Sequence, residues 1–169
     1  MTMPMASNRL PLGLKLAYTA FMAMLVPVYW HYYGPTNFLY FCDVALFLTL
    51  AGLWLESPLL ISMCAVGILA PQTLWLVDYF GNFVGMKITG MTDYMFEAHR
   101  SLFLRSLSLF HGWLPILLVY LVWKLGYERR AFFAWTGVAW ILILICFFFT
   151  PPVSFSDAKR KAAGSPPPP

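Results

Sequence analysis

The chain has 169 residues, of which 60% are hydrophobic and 11% charged, and its net charge is +4. A soluble globular domain has roughly 25% charged residues, so this chain has too few charges to cover a water-soluble surface. The basic balance does not predict nucleic-acid binding, because Lys and Arg lie in tails, connections and the ends of apolar stretches, where they set membrane topology. The composition is that of a polytopic membrane protein.

Five apolar stretches are long enough to predict helices that cross a bilayer. They cover residues 14–32, 36–54, 59–79, 102–123 and 131–150. Helix-breaking pairs separate the early ones, with Gly34-Pro35 after the first stretch and Ser57-Pro58 after the second. The sequence therefore predicts an all-α fold, a polytopic transmembrane helical bundle of about five spanning helices.

The predicted organisation is a single transmembrane domain, residues 14–152, between two tails. Residues 1–13 form a short polar N-terminal tail. Residues 153–169 are first basic and then Pro-rich, so we expect a disordered tail.

The longest connection, residues 80–100, contains three glycines and several charges, which argue against a further span. Within it, residues 91–99 predict a short interfacial helix. Thr92 is the expected N-cap, and Asp93 suits the first turn.

Asp43 lies inside the second apolar stretch. A carboxylate within a membrane costs several kcal/mol unless a partner or a water-filled cavity satisfies it, so it indicates a functional site. Alternating crossings bring Asp43, Gln72 and His111 to similar depths beneath one membrane surface, with Asn37 at the entry. We therefore predict a one-sided polar cavity lined by these four side chains.

Four further polar side chains are expected at the rim of this cavity. They are Asp78, His99, Arg100 and Arg105. The two arginines suit a phosphate or carboxylate ligand, although arginines at helix entries also extend to lipid phosphates. In the structural alternative, Asp43 pairs with His111 or Arg105 and specifies helix packing without any chemistry.

The sequence predicts no metal and no other cofactor. The three cysteines, Cys42, Cys64 and Cys146, fall in apolar stretches without CxxC pairing, and we interpret them as packing residues. The three histidines lie in different elements without the i, i+4 spacing of a helical metal site.

Several strings resemble those of a widespread, uncharacterised family of small bacterial integral membrane proteins. The strings are PTN at 35–37, DVALF at 43–47, LWLESPLL at 53–60, GMTDYMF at 90–96, LFLRSLSLFH at 102–111 and LGYERRA at 125–131. The resemblance implies an integral protein of the bacterial inner membrane but no known activity. The tail after Thr150 does not share it.

A more distant resemblance is to YwaF-type membrane proteins and the related cysteine-dependent phospholipid acyltransferases. These place a Cys on an early span and a His on a later one, and the counterparts here are Cys42 and His111. The resemblance implies a thiolate nucleophile with histidine as its base. Cys42 and Asp43 point about 100° apart on a helix, so both cannot face His111 squarely.

Two classes of function stay open on the sequence. In the first, the protein binds or modifies a lipid; Asp43 would orient His111, His111 would act as base, and Arg105 would hold a phosphate. In the second, it is a non-enzymatic membrane subunit or a small-solute binder or transporter, in which Asp43, Gln72 and His111 form a structural network. Membrane lipids are the expected partners, and a membrane-protein partner is left open.

Overall fold

A computed structural model describes residues 10–97 and 100–150, and this part of the chain is helical without strands. Its six α-helices are α1 Leu12–Tyr33, α2 Phe41–Leu55, α3 Pro58–Phe83, α4 Leu102–Ser108, α5 Phe110–Leu125 and α6 Ala131–Phe149. Helices α1, α3, the α4–α5 pair and α6 are long and apolar enough to cross a membrane, and α2 is a shorter apolar helix. The all-α bundle is confirmed, and its apolar helices are those of an integral membrane protein.

The second apolar stretch starts as a helix later than the sequence predicts. Pro35–Leu39 forms a 3-10 helix, and Tyr40 is extended (φ −66°, ψ 140°) before α2 begins at Phe41. Proline fixes its own φ and removes a backbone donor, which favours such a short turn over a regular α-helix start. As a result, Asp43 lies in the first turn of α2 rather than two turns inside a helix.

Two other boundaries differ from the predicted ones. The fourth stretch is divided at Leu109, whose amide donates to the carbonyl of Ser106 in a tight turn between α4 and α5. The predicted interfacial helix is reduced to a 3-10 helix at Asp93–Met95, and Thr92 does not cap it because its hydroxyl donates to Asp78 instead.

Polar contacts fix which helix ends lie together. The Nζ atom of Lys15, at the start of α1, lies 2.6 Å from Oε1 of Glu56, just after α2. The Glu128 amide donates to Oγ of Ser62 at 3.0 Å, which joins the α5–α6 turn to the start of α3. We call the end of the bundle that contains these two contacts the Glu56 end. The opposite end, which includes the ends of α1 and α3 and the starts of α2 and α4, is the Asp78 end.

Helix α3 is the centre of the bundle and contacts α2, α5 and α6. The core around it consists of fully buried aliphatic side chains, among them Leu46, Ile61, Ile68, Leu114 and Leu118. Most residues of helix α6 are exposed, and its buried Trp135 packs against α3, where the indole covers Gly67. The apolar outer face of α6 is suited to contact with lipid chains.

Candidate functional site

Asp43 is buried, and only one of its two carboxylate oxygens is bonded. Oδ2 accepts from Nδ2 of Asn37 at 3.2 Å and from the Cys42 thiol at 3.8 Å. Oδ1 has no hydrogen-bond partner among the described residues. The 3-10 helix therefore brings Asn37 to Asp43, as the sequence proposed, but leaves half of the carboxylate unpaired.

Gln72 and Trp75 lie one turn apart on α3, and both are at least 95% buried. Neither the oxygen nor the nitrogen of the Gln72 amide has a partner in the described chain, and the same is true of Nε1 of Trp75. An unpaired buried polar group costs roughly 1–3 kcal/mol. Such atoms are rare in folded proteins and require an explanation.

The imidazole of His111 is oriented by a backbone carbonyl. Its Nδ1 lies 2.8 Å from the carbonyl oxygen of Ser108. Because this oxygen can only accept, Nδ1 is the donor and Nε2 carries the free lone pair. In the described residues Asp43 and His111 share no hydrogen bond or ion pair. Ser108, rather than Asp43, therefore sets the tautomer of His111.

Two aromatic rings stack on the imidazole of His111. Its ring centroid lies 5.1 Å from that of Trp75 and 4.0 Å from that of Phe110, at interplanar angles of 21° and 30°. Trp75 stacks in turn on Tyr79 at 5.1 Å, and Tyr79 lies 5.5 Å from Phe96. We call these five rings the aromatic column.

Tyr94 and Tyr29 are site residues that sequence reasoning missed. Burial raises the pKa of the Tyr94 hydroxyl, and the neighbouring side chains of Trp75 and Ser108 oppose this shift. The hydroxyl of Tyr29 lies 3.2 Å from Oγ of Ser108 and within electrostatic range of Asp43. Uncharged phenols in a chain with nine tyrosines give no sequence signal that separates these two from the others.

Asp78 is fully buried, which differs from its predicted place at an exposed rim. Its Oδ1 accepts from the amides of Thr89 and Gly90 at 2.6 and 3.0 Å, and its Oδ2 accepts from the amide and hydroxyl of Thr92 at 2.8 and 2.6 Å. Gly90 has φ +76°, a conformation that favours glycine. All four bonds go to the connection, so Asp78 anchors this loop and has no capacity left for a ligand.

The two arginines of the predicted rim have different surroundings. Arg100 forms an ion pair with Glu97 at 2.6 Å and lies 5.6 Å over the ring of Tyr94. Arg105 donates from Nη1 to the carbonyl oxygen of Met95 at 2.9 Å, and its buried Nε has no partner among the described residues. His99, the remaining predicted rim residue, lies outside the described residues.

The described residues contain no group of three His, Cys, Asp or Glu side chains arranged to hold a metal ion. All three cysteines are free, and the Cys64 thiol donates to the carbonyl of Ala45. An apolar groove of about 600 Å³ lies between α1 and α5, and Leu14, Phe21, Trp113 and Tyr120 are among its lining residues.

The arrangement thus presents buried polar atoms without protein partners, near a hydroxyl network and beside an oriented imidazole. Whether they open on the predicted cavity stays a prediction. No protein-family model, no curated protein and no solved structure matches this chain.

Proposed function

We propose that this integral membrane protein binds the polar group of a membrane amphiphile at its Asp78 end. One observation carries the proposal: three different helices each bring to this end buried polar atoms that have no partner among the described residues. They belong to Asp43 on α2, Gln72 on α3, and Arg105 on α4. A ligand that supplied the missing hydrogen bonds would offset a cost of roughly 1–3 kcal/mol for each of them.

Contacts around Ser108 place several of these side chains near one another. Tyr94 lies beside Trp75 and Ser108. Ser108 is one turn beyond Arg105 on α4, and its hydroxyl oxygen lies 3.2 Å from that of Tyr29. The same phenols and hydroxyl can add hydrogen bonds to a polar group held there.

The groove between α1 and α5 favours an amphiphile over a small solute. It extends along α1 through Phe21, and Tyr29 follows two turns later; on α5 it begins at Trp113, two residues after His111. The groove therefore lies between α1 and α5 in the half of the bundle toward the Glu56 end, and on α1 it stops about two turns before Tyr29. An alkyl chain in this groove would direct its polar head along α1 toward the proposed site.

A lipid-modifying reaction is not included in this proposal, because His111 is held by a carbonyl and not by Asp43. The acyltransferase resemblance, the bacterial inner-membrane location and the family resemblance stay predictions. The purely structural network is the competing function, and it differs in requiring no bound molecule.

Gln72→Leu tests the proposal. We expect it to raise the thermal stability of lipid-depleted protein by a few degrees, because an unpaired buried amide is replaced by an apolar side chain of similar size. In protein purified with its lipids, it should reduce co-purified amphiphile severalfold. Thermal unfolding measures the first effect, and native mass spectrometry measures the second.

Thr49→Val is the matched control. The hydroxyl of Thr49 is also buried without a partner in the described chain, but it lies further along α2, toward the Glu56 end. This control should keep or raise stability without loss of amphiphile. Equal retention of amphiphile by wild type, Gln72→Leu and Thr49→Val, or no retention at all, would overturn the proposal.

A further inference from the structure

We infer that the bound amphiphile is zwitterionic, with a primary ammonium group beside Asp43 and a phosphate group beside Arg105. This inference rests on the proposed function and specifies the class of its ligand. It follows from two charged side chains at the Asp78 end that have no counter-charge in the described part of the chain.

Asp43 is a buried carboxylate with neutral donors only. Its side chain is 2% exposed, and its partners are the Asn37 amide and the Cys42 thiol. Neither supplies positive charge. An ammonium N–H at Oδ1 would provide both the missing hydrogen bond and the missing charge, which is the strong, charge-assisted type of contact.

Arg105 is a cation that likewise has no partner of opposite charge among the described residues. Its Nη1 is bonded to a carbonyl oxygen, which is neutral, and its buried Nε is unpaired. Four other basic side chains of the described chain have carboxylate partners within 3.1 Å. They are Lys15 with Glu56, Lys87 with Asp93, Arg100 with Glu97 and Arg130 with Glu128. A phosphate oxygen at Nε would give Arg105 the partner that these residues already have.

Asp43 and Arg105 do not neutralise each other, since the described chain contains no ion pair between them. Both side chains nevertheless belong to the Asp78 end, because Asp43 lies in the first turn of α2 and Arg105 lies on α4, one turn before Ser108. A single ligand that carries one charge of each sign and no net charge fits this pair. The amide of Gln72 and the indole N–H of Trp75 can bond the uncharged oxygens of such a head group.

Three lipid probes separate the charge classes. Phosphatidylethanolamine has a phosphate and an ammonium with N–H donors, phosphatidylcholine has a cation without N–H donors, and phosphatidylglycerol has only the anion. We expect the full-length protein in detergent to retain short-chain phosphatidylethanolamine at least about tenfold more tightly than the other two, as measured by native mass spectrometry. Tenfold is the effect of one charge-assisted hydrogen bond.

Variants of Asp43 and Arg105 test which side chain binds the ammonium group and which binds the phosphate group. Asp43→Asn keeps the shape of the side chain and should bring the preference for phosphatidylethanolamine over phosphatidylglycerol close to one. Arg105→Gln should weaken all three lipids. Asp93→Asn and Arg130→Gln, which change charges that already have partners, should leave the preference unchanged. If Asp43→Asn does not fold, Asp43→Glu with a displaced carboxylate should still lower the preference.

The outcomes distinguish the two proposals. Equal binding of the three lipids by wild type, or a preference that survives Asp43→Asn, overturns the zwitterionic ligand while the binding function stands. Absence of retained lipid of any kind overturns the binding function itself.

Discussion

Asp78→Asn should lower the thermal stability of the protein in detergent by about 5 °C or more and should release the connection between α3 and α4. The Asp78 carboxylate accepts four hydrogen bonds from Thr89, Gly90 and Thr92. An asparagine offers one acceptor oxygen, and its NH2 group would face two donors. Two of the four hydrogen bonds are therefore lost. Two buried donors of the loop would then face the NH2 group of the variant side chain, which is itself a donor.

Limited trypsin digestion is the second readout for Asp78→Asn, because Lys87 and Arg100 are cleavage sites within this connection. We expect faster cleavage at these two residues in the variant, with unchanged cleavage in the α5–α6 turn. Asp93→Asn is the matched control, since Asp93 is a partly exposed carboxylate of the same loop that bonds Asn82 and Lys87. If both variants had the same stability and cleavage rate, Asp78 would not be the anchor.

The second large effect is expected for Gly67→Ala on α3. A methyl group at this position would overlap the indole of Trp135, which is the main buried side chain of α6 at this contact. Overpacking of this kind costs about 1–3 kcal/mol. Trp135 cannot move freely, because its ring also contacts Phe41 at the start of α2, with centroids 6.0 Å apart. We expect a lower unfolding temperature and a shift in tryptophan emission.

We expect Gly137→Ala on α6 to raise the unfolding temperature, the opposite of the effect of Gly67→Ala. No atom lies within 4 Å of a methyl group placed there, and the residue is exposed. Replacing a helical glycine by alanine is favourable by up to about 1 kcal/mol when space is available. Comparison of Gly67→Ala with Gly137→Ala therefore separates the effect of steric overlap from the effect of helix propensity. A gain in stability for Gly67→Ala would show that α6 does not pack on α3 as described.

The fold could be predicted from the sequence because apolar length alone determines it. Each of the five apolar stretches contains an apolar helix, and the breaks at Gly34-Pro35 and Ser57-Pro58 are where helices end or begin. The start of α2 was not predictable by the same criterion. Residues 36–39 lead without a break into the apolar residues of α2, so apolar length does not show that Pro35 starts a 3-10 helix there.

The end of the bundle at which the predicted site residues lie could be predicted from the sequence, but their contacts could not. Alternation of helices brings Asp43 and His111 to one end regardless of detail, whereas their lateral separation depends on which helices pack on α3. The role of Asp78 was hidden for a different reason. A carboxylate near a helix end suggests a ligand, and only the positions of three backbone amides in the loop show that its bonds are already taken.

The aromatic column has a mechanical consequence. Phe96 belongs to the connection, and Phe110 and His111 belong to the start of α5, yet Tyr79 and Trp75 link them through ring contacts. In a close-packed row of rings, each ring fills the space that its neighbour would need to tilt. A displaced loop would therefore change the packing around the imidazole, and the fluorescence of the Trp75 indole would report that change.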